Sequence, residues 1–305
     1  MSLFLKGLIG RIWLLLALLL CLQSIALADL KRVVVIKSSE NAYYDETIAT
    51  LKKHTGPLVT VEAVLMNDFK APGSASLLIA LGQTAAEQTA ALLSSLASDT
   101  PVINAYLTLE QFHSLGVQRN PTIVLDQPLA RYLAFSQFAL PIESIGILTQ
   151  HRTPLDAETL TRISHLPLDV RQYEINAQNK LLPVLRELLQ DNDALLMLPR
   201  QSLYNHDSLR GVLVTSYRHR KPVVSYSPAH IRSGALASIY SSPVDIGQHL
   251  SILMHRNLDE TNNDNTKLHF ARFYSIALNP KSASALGIML PSEDEIRQKL
   301  DRLMR

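Results

Sequence analysis

Past residue 28 the chain has no cysteine; the single one, Cys21, stands in the N-terminal apolar stretch. Disulfides, thiolate nucleophiles and cysteine-held metals are therefore excluded from the remainder, which must hold together by burial. Charge of one sign is lacking too. The chain carries 29 Lys+Arg against 27 Asp+Glu. Lys6 and Arg11 belong to the N-terminal stretch, so residues 29–305 carry 27 of each sign. Without a basic surplus the chain does not read as a nucleic-acid binder. Beyond residue 28 no apolar run approaches the ~20 residues of a membrane span. There is no G-x-S-x-G elbow, no G-x-x-x-x-G-K-[ST] loop and no H-E-x-x-H pair. His249 and His255, six apart, do not share a face of a helix and make a poor metal pair.

What is present begins with an export signal. Lys6 and Arg11 form a positive start, residues 12–22 an apolar core, and Ala26-Leu27-Ala28 a small-x-small site. That is the layout of a signal peptide cleaved after Ala28, and the expected location is the periplasm. The apolar core is short for a membrane anchor. Leu20 stands before Cys21 where lipidation would need a small residue.

Strand-like and helix-like runs then alternate. Strands are expected at 33–36, 59–65, 77–81, 101–103 and 122–125. Helices are expected at 43–54, after Gly82-Gln83-Thr84, and after the Thr108-x-x-Gln111 capping box. The pattern restarts with helix 129–140, strand 144–148, helix 155–165, strand 168–175 and helix 178–190, whose Pro183 disfavours the first turns. Strand 194–198, helix 203–218 and a strand opening at Val223-Val224 complete it. Ser242-Pro243-Val244-Asp245 is a strong helix start. A strand 269–278, a helix from Asn279-Pro280 to Gly287 and a Ser292/Glu295 capping box follow. Two alternating sets predict an α/β protein of two lobes, each a mostly parallel sheet with helices on both faces. The Asp126-Gln127-Pro128 turn is the expected first crossover between them.

Isolated features have plain explanations. Gly82-Gln83-Thr84 lacks the further glycines and lysine of a phosphate loop. The basic run 217–221 and the acidic pairs Asp45-Glu46 and Asp294-Glu295 complement helix dipoles. A two-lobed α/β chain without catalytic motifs points to binding in the cleft between strand ends, with no cofactor and no catalytic residue.

Several blocks carry a resemblance. They are Asp193-Ala-Leu-Leu-Met-Leu-Pro199, Lys221-Pro-Val-Val-Ser-Tyr-Ser-Pro228, Ile231-Arg-Ser-Gly-Ala-Leu-Ala237, Pro243-x-x-Ile-Gly247 and Asn279-x-x-x-Ala283-x-x-Leu286-Gly287. Ala80-Leu-Gly-Gln-Thr-Ala85 and Leu140-Pro-x-x-x-Ile145-Gly-Ile-Leu148 match more loosely. Together they resemble the ABC-transporter substrate-binding family that includes aromatic amino-acid binders of the TrpX type. The resemblance implies a type I periplasmic-binding-protein fold: two Rossmann-like lobes joined by a three-crossover hinge. Lobe 1 is then expected at 29–126 plus 234–265 and lobe 2 at 127–233 plus 266–305. Asp126 and Gly234 become hinge residues, with 236–240 returning to the first lobe's sheet.

The implied cleft is lined by strand-end residues: Ser38, Ser39, Gln83, Thr84 and Tyr106 from lobe 1, and Thr149, Arg200, Tyr226 and Ser227 from lobe 2. Such groups suit a small polar or anionic ligand, amino-acid-like or aromatic, with Tyr106 and Tyr226 flanking a flat group. Arg200 stands where relatives carry an acidic residue, and Ala105-Tyr106-Leu107 where they carry Asp-Pro; both favour an anion over an ordinary amino acid. The implied function is solute binding for an ABC importer, by a non-enzymatic monomer whose partner is a membrane permease. The alternative is a sensing subunit for a membrane receptor or sensor kinase.

Overall fold

The computed structural model describes residues 30–150, 157–176, 180–259 and 265–303. Residues 1–28, expected as a signal peptide, lie outside them. Among the described residues no helix is long and apolar enough to cross a membrane.

Two six-stranded sheets form the frame. The first holds β1 (Lys31–Lys37), β2 (Val59–Leu65), β3 (Leu77–Leu81), β4 (Val102–Leu107), β5 (Thr122–Val124) and, from late in the chain, β11 (Leu268–Phe270). The second holds β6 (Ser144–Thr149), β7 (Asp169–Glu174), β8 (Ala194–Leu196), β9 (Val223–Ser225), β10 (Ala237–Tyr240) and β12 (Ser275–Leu278). Their orders are β11-β5-β4-β3-β1-β2 and β12-β10-β9-β8-β6-β7. Among the described residues only the β10–β12 pairing is antiparallel.

The first helices are α1 (Ala42–Lys53), α2 (Gln83–Ser95), α3 (Leu109–Ser114), α4 (Leu129–Ala139), α5 (Ala157–Ile163) and α6 (Leu181–Asp191). They are followed by α7 (His206–Arg218), α8 (Pro228–Arg232), α9 (Pro243–Leu258), α10 (Pro280–Leu286) and α11 (Glu293–Leu303). Pro183 falls in the first turn of α6, where no intrahelical N–H bond is lost. Thr108–Gln111 and Ser242–Asp245 form reciprocal capping boxes, and Ser292 and Glu295 exchange the same bonds before α11.

Each sheet is covered on both faces, which is why inner strands such as β3 and β8 read as unbroken apolar runs, while the edge strands β2 and β7 carry polar residues. Val33 and Val35 of β1 pack with Ile48, Leu51 and Leu250, while Val34 and Ile36 pack on the opposite side with Ala86 and Phe112. In the second lobe α4 and α11 lie on one face, with Leu133, Phe135 and Leu300 against Ile145 and Ala237. On the other, α6 and α7 bring Leu188 and Val212 to Leu195 and Val223. Helix α9 returns to the first lobe and packs on α1. Gly247 permits that approach, since a Cβ there would lie 2.7 Å from Thr50 Cβ.

Two expectations are corrected. Residues 236–240 do not enter the first sheet: β10 pairs in parallel with β9, and the Leu236 N–H donates to Val223 O at 2.9 Å. The eleven residues 226–236, including the one-and-a-half turns of α8, suffice as the crossover a parallel pair needs. Gly234 therefore lies within the second lobe and not at a crossing. Its φ of +116° serves the turn between α8 and β10. The expected strand 269–278 is two strands, β11 in the first sheet and β12 in the second. No glycine or proline breaks the run. Instead, distant side chains occupy its backbone: Arg131 donates to Ala271 O, Ser241 to Phe273 O, and the Arg272 N–H donates to His249 Nδ1. The chain thus passes between sheets after β5, after β10 and between β11 and β12, and 268–270 joins the first sheet and not the second.

Candidate ligand-binding cleft

A cavity of about 640 Å³ lies between the carboxyl ends of the two sheets, within the ~300–1,000 Å³ usual for small-ligand sites. Tyr43, Tyr106, Thr108 and Pro243 line it from the first lobe. Gln201, Tyr204, Tyr226, Ser227 and Tyr240 line it from the second. Strand ends and helix starts are where an open α/β sheet exposes unpaired backbone and side chains together.

Tyr106 is held there by a backbone exception. Its φ is +64°, in the left-handed region that a bulky residue rarely adopts. The register with β5 shifts between Ala105 and Leu107, so Tyr106 is the extra residue of a bulge. The hydroxyl over-determines this conformation. The Tyr106 hydroxyl is hydrogen-bonded to Thr47 Oγ1 at 2.6 Å and reaches Tyr43 O at 3.3 Å, while Thr47 Oγ1 reaches Pro243 O at 3.0 Å. Tyr44 packs edge-on at 5.1 Å between ring centroids. Burial raises the Tyr106 phenol well above its ordinary pKa, so the group stays neutral.

The opposite wall follows β9. Tyr226 stacks edge-on against His230 at 4.8 Å, and Ser227 caps α8 through the Ala229 N–H. Below them Ser225 Oγ lies 2.5 Å from His230 Nδ1, a serine–histidine pair the sequence did not disclose. Ser225 is fully buried in the strand, and the bond fixes the imidazole under Tyr226. Burial pushes His230 down to about 4. Burial, with the nearby Asp126 charge, pushes Tyr226 up to about 12.

Of the nine residues expected to line the cleft, the cavity brings together Tyr106, Tyr226 and Ser227. Ser38, Ser39, Gln83, Thr84, Thr149 and Arg200 are not among its lining residues. Ser38 Oγ donates to Leu81 O and accepts the Ala85 N–H at 2.9 Å, capping α2 in place of Gly82. Gly82 has a φ of +89°, and any Cβ on it would lie 2.7 Å from Ser38 Oγ. Ser39 and Thr84 are exposed beside that turn, and Thr149 ends β6 half-buried. Gln83 Oε1 accepts from Gln111 Nε2 at 2.7 Å. Arg200 Nη1 lies 3.3 Å from Asp126 Oδ1, and Asp126 Oδ2 accepts the Leu109 N–H at 2.7 Å. The guanidinium thus balances a buried carboxylate at the first crossing. Tyr43, Gln201, Tyr204 and Tyr240 were not anticipated. Tyr43 lies in the first turn of α1 and Tyr240 ends β10, the same positional signal that marks Tyr106 and Tyr226, whereas Gln201 and Tyr204 lie in the loop between β8 and α7.

No family model matches this sequence, and no curated protein matches it. Solved structures do. An ABC domain in complex with L-Trp from Streptococcus pneumonia is 16% identical, over 88% of this chain and 98% of that one, with a TM-score of 0.52. A conserved domain protein from Vibrio cholerae is 15% identical, over 88% and 98%, with a TM-score of 0.53. The ligand-free, open form of a substrate-binding protein with adhesive properties from Clostridium difficile is 15% identical, over 87% and 97%, with a TM-score of 0.62. The chain has the type I periplasmic-binding-protein fold, and ABC-type substrate-binding proteins are its structural neighbours.

Proposed function

We propose that this chain is a periplasmic solute-binding protein that captures a small ligand between its lobes and delivers it to the permease of an ABC importer. One observation carries the reading: a single cavity takes its walls from both lobes. A solute bound there bridges two bodies joined by three crossings and favours their closure. The full burial of Ser225 supports binding over catalysis, because its hydroxyl cannot meet a substrate. The protein works as an exported monomer, without catalytic turnover, and its membrane partner recognises the closed form.

The test is a thermal-shift screen of the mature chain against amino acids, organic acids, nucleosides and sugars, followed by small-angle scattering of each hit. At least one solute class should raise Tm and reduce the radius of gyration. If no solute does either, the reading fails.

A further inference from the structure

We infer that the ligand is an uncharged molecule bearing a flat aromatic ring, held by tyrosine rings and neutral hydrogen-bonding groups. This rests on the solute-binding reading and names the chemistry of that same site. The chain has ten tyrosines, and five of them, Tyr43, Tyr106, Tyr204, Tyr226 and Tyr240, line this one cavity. They arrive from separate places: the first turn of α1, the β4 bulge, the segment before α7, the end of β9 and the end of β10. An aromatic-rich stretch of sequence therefore does not explain their convergence. The hydroxyl of Tyr106 is bound to Thr47, so that residue offers the cavity a ring and not a free phenol.

The polar groups around these rings are Thr108, Gln201, Asn205, Ser227 and Ser241, all hydroxyls or amides. Among the described residues that line the cavity, no side chain carries a formal charge. Of the charges nearest the lining tyrosines, Asp126 and Arg200 are joined to each other, Asp245 accepts from Ser242 and Ser275, and Glu46 and Glu293 are exposed outside the lining. A carboxylate or ammonium entering the cavity would shed its water and meet no counter-charge in the lining, a loss that neutral hydrogen bonds do not repay. A neutral ring sheds little and gains edge and face contacts with the tyrosines. The anion expected from Arg200 is thereby replaced by a neutral solute.

Matched pairs test this by calorimetry on the mature chain: indole-3-propionamide against indole-3-propionate and tryptophan, adenosine against its monophosphate, and nicotinamide against nicotinate. At least one neutral member should bind, with its charged counterpart about tenfold weaker or more. Tyr226→Phe should keep affinity within about threefold, while Tyr226→Leu and, independently, Tyr240→Leu should lose about tenfold. The only tryptophan is Trp13, so the emission of the mature chain comes from tyrosine and binding should perturb it directly. A charged member binding as tightly as its neutral counterpart overturns the inference. So does silence of every pair; if sugars or aliphatic amino acids then raise Tm, solute binding stands and only the ligand class falls. Silence of all solutes overturns both.

Discussion

The Nη1 of Arg131 sits 3.0 Å from the carbonyl oxygen of Ala271 and 2.5 Å from Gln127 Oε1. Gln127 Nε2 donates to Ser241 Oγ at 2.8 Å, and Ser241 Oγ donates to Phe273 O at 3.0 Å. One hydrogen-bonded chain therefore touches all three crossings between the sheets. The guanidinium is buried and its pKa lowered by that burial, with the Tyr274 ring 5.0 Å away. Arg131→Met should strip two acceptors of a charged donor and lower stability by about 2–4 kcal/mol. Arg131→Lys should recover only part, because a point ammonium cannot fan across both acceptors and the ring. Urea unfolding measures both. An unchanged midpoint for Arg131→Met would show that the network has no energetic weight.

Asp126 and Arg200 predict a coupled loss. Arg200→Ala leaves a buried carboxylate with only the Leu109 N–H, at a cost of about 2–3 kcal/mol given that Arg200 keeps some solvent contact. Burial already pushes the Asp126 carboxyl above its ordinary pKa. Without Arg200 it rises further. The deficit should be smallest at acid pH, where both folded forms hold the proton, and grow as pH rises from the folded pKa of the parent chain to the higher one of the variant. Asp126→Asn with Arg200→Ala should recover most of the loss in a double-mutant cycle. Additive single costs would mean the two groups are not coupled.

Gly234 tests the corrected topology. Its φ of +116° excludes ordinary side chains, although a Cβ there would meet nothing within 4 Å. Gly234→Ala should therefore cost about 1–3 kcal/mol of stability through backbone strain alone. Ligand-induced closure, followed by scattering, should persist, because the strands on either side of Gly234, β9 and β10, belong to one sheet. Loss of closure at unchanged stability would restore a hinge role.

Acid should destabilise the fold in a defined window. Burial pushes His230 and His249 from 6.5 down to about 4, with His269, Arg272 and Arg256 adding repulsion at His249. Both rings stay neutral in the folded chain, while the unfolded chain takes up their protons below 6.5. Their contribution is fully present above pH 6.5 and is lost as pH falls toward 4. Calorimetric Tm should decline across that window, and His230→Gln should make the decline shallower. An identical slope in the variant would remove His230 from the account.

The parts of the fold legible in the sequence were those governed by local chemistry or by two-sided burial. β1 and β3 announce themselves because Val33–Ile36 and the whole of Leu77–Leu81 are buried between helix layers. Thr108, Ser242, Asn279 and Ser292 mark helix starts because each cap is completed within three residues. Tyr106 and Tyr226 were found from the rule that strand ends face the cleft. The break at 271–274 was hidden, since the sequence there alternates without interruption and the bonds that divide it come from Arg131, Ser241 and His249. The fate of Arg200 was equally hidden, because its partner lies 74 residues earlier. Gln201 and Tyr204 reach the cavity from the loop between β8 and α7, which no local pattern marks.

Strands β11 and β12 have a temporal consequence. The first sheet receives its edge strand only from residues 268–270, and the second receives its own only from 275–278. During synthesis β5 and β10 stay unpaired on their outer sides until residues 268–278 have emerged, after which a single short stretch completes both sheets in quick succession. Neither lobe exists as a separable segment, so a fragment ending before residue 268 carries two unfinished edges and not one finished domain.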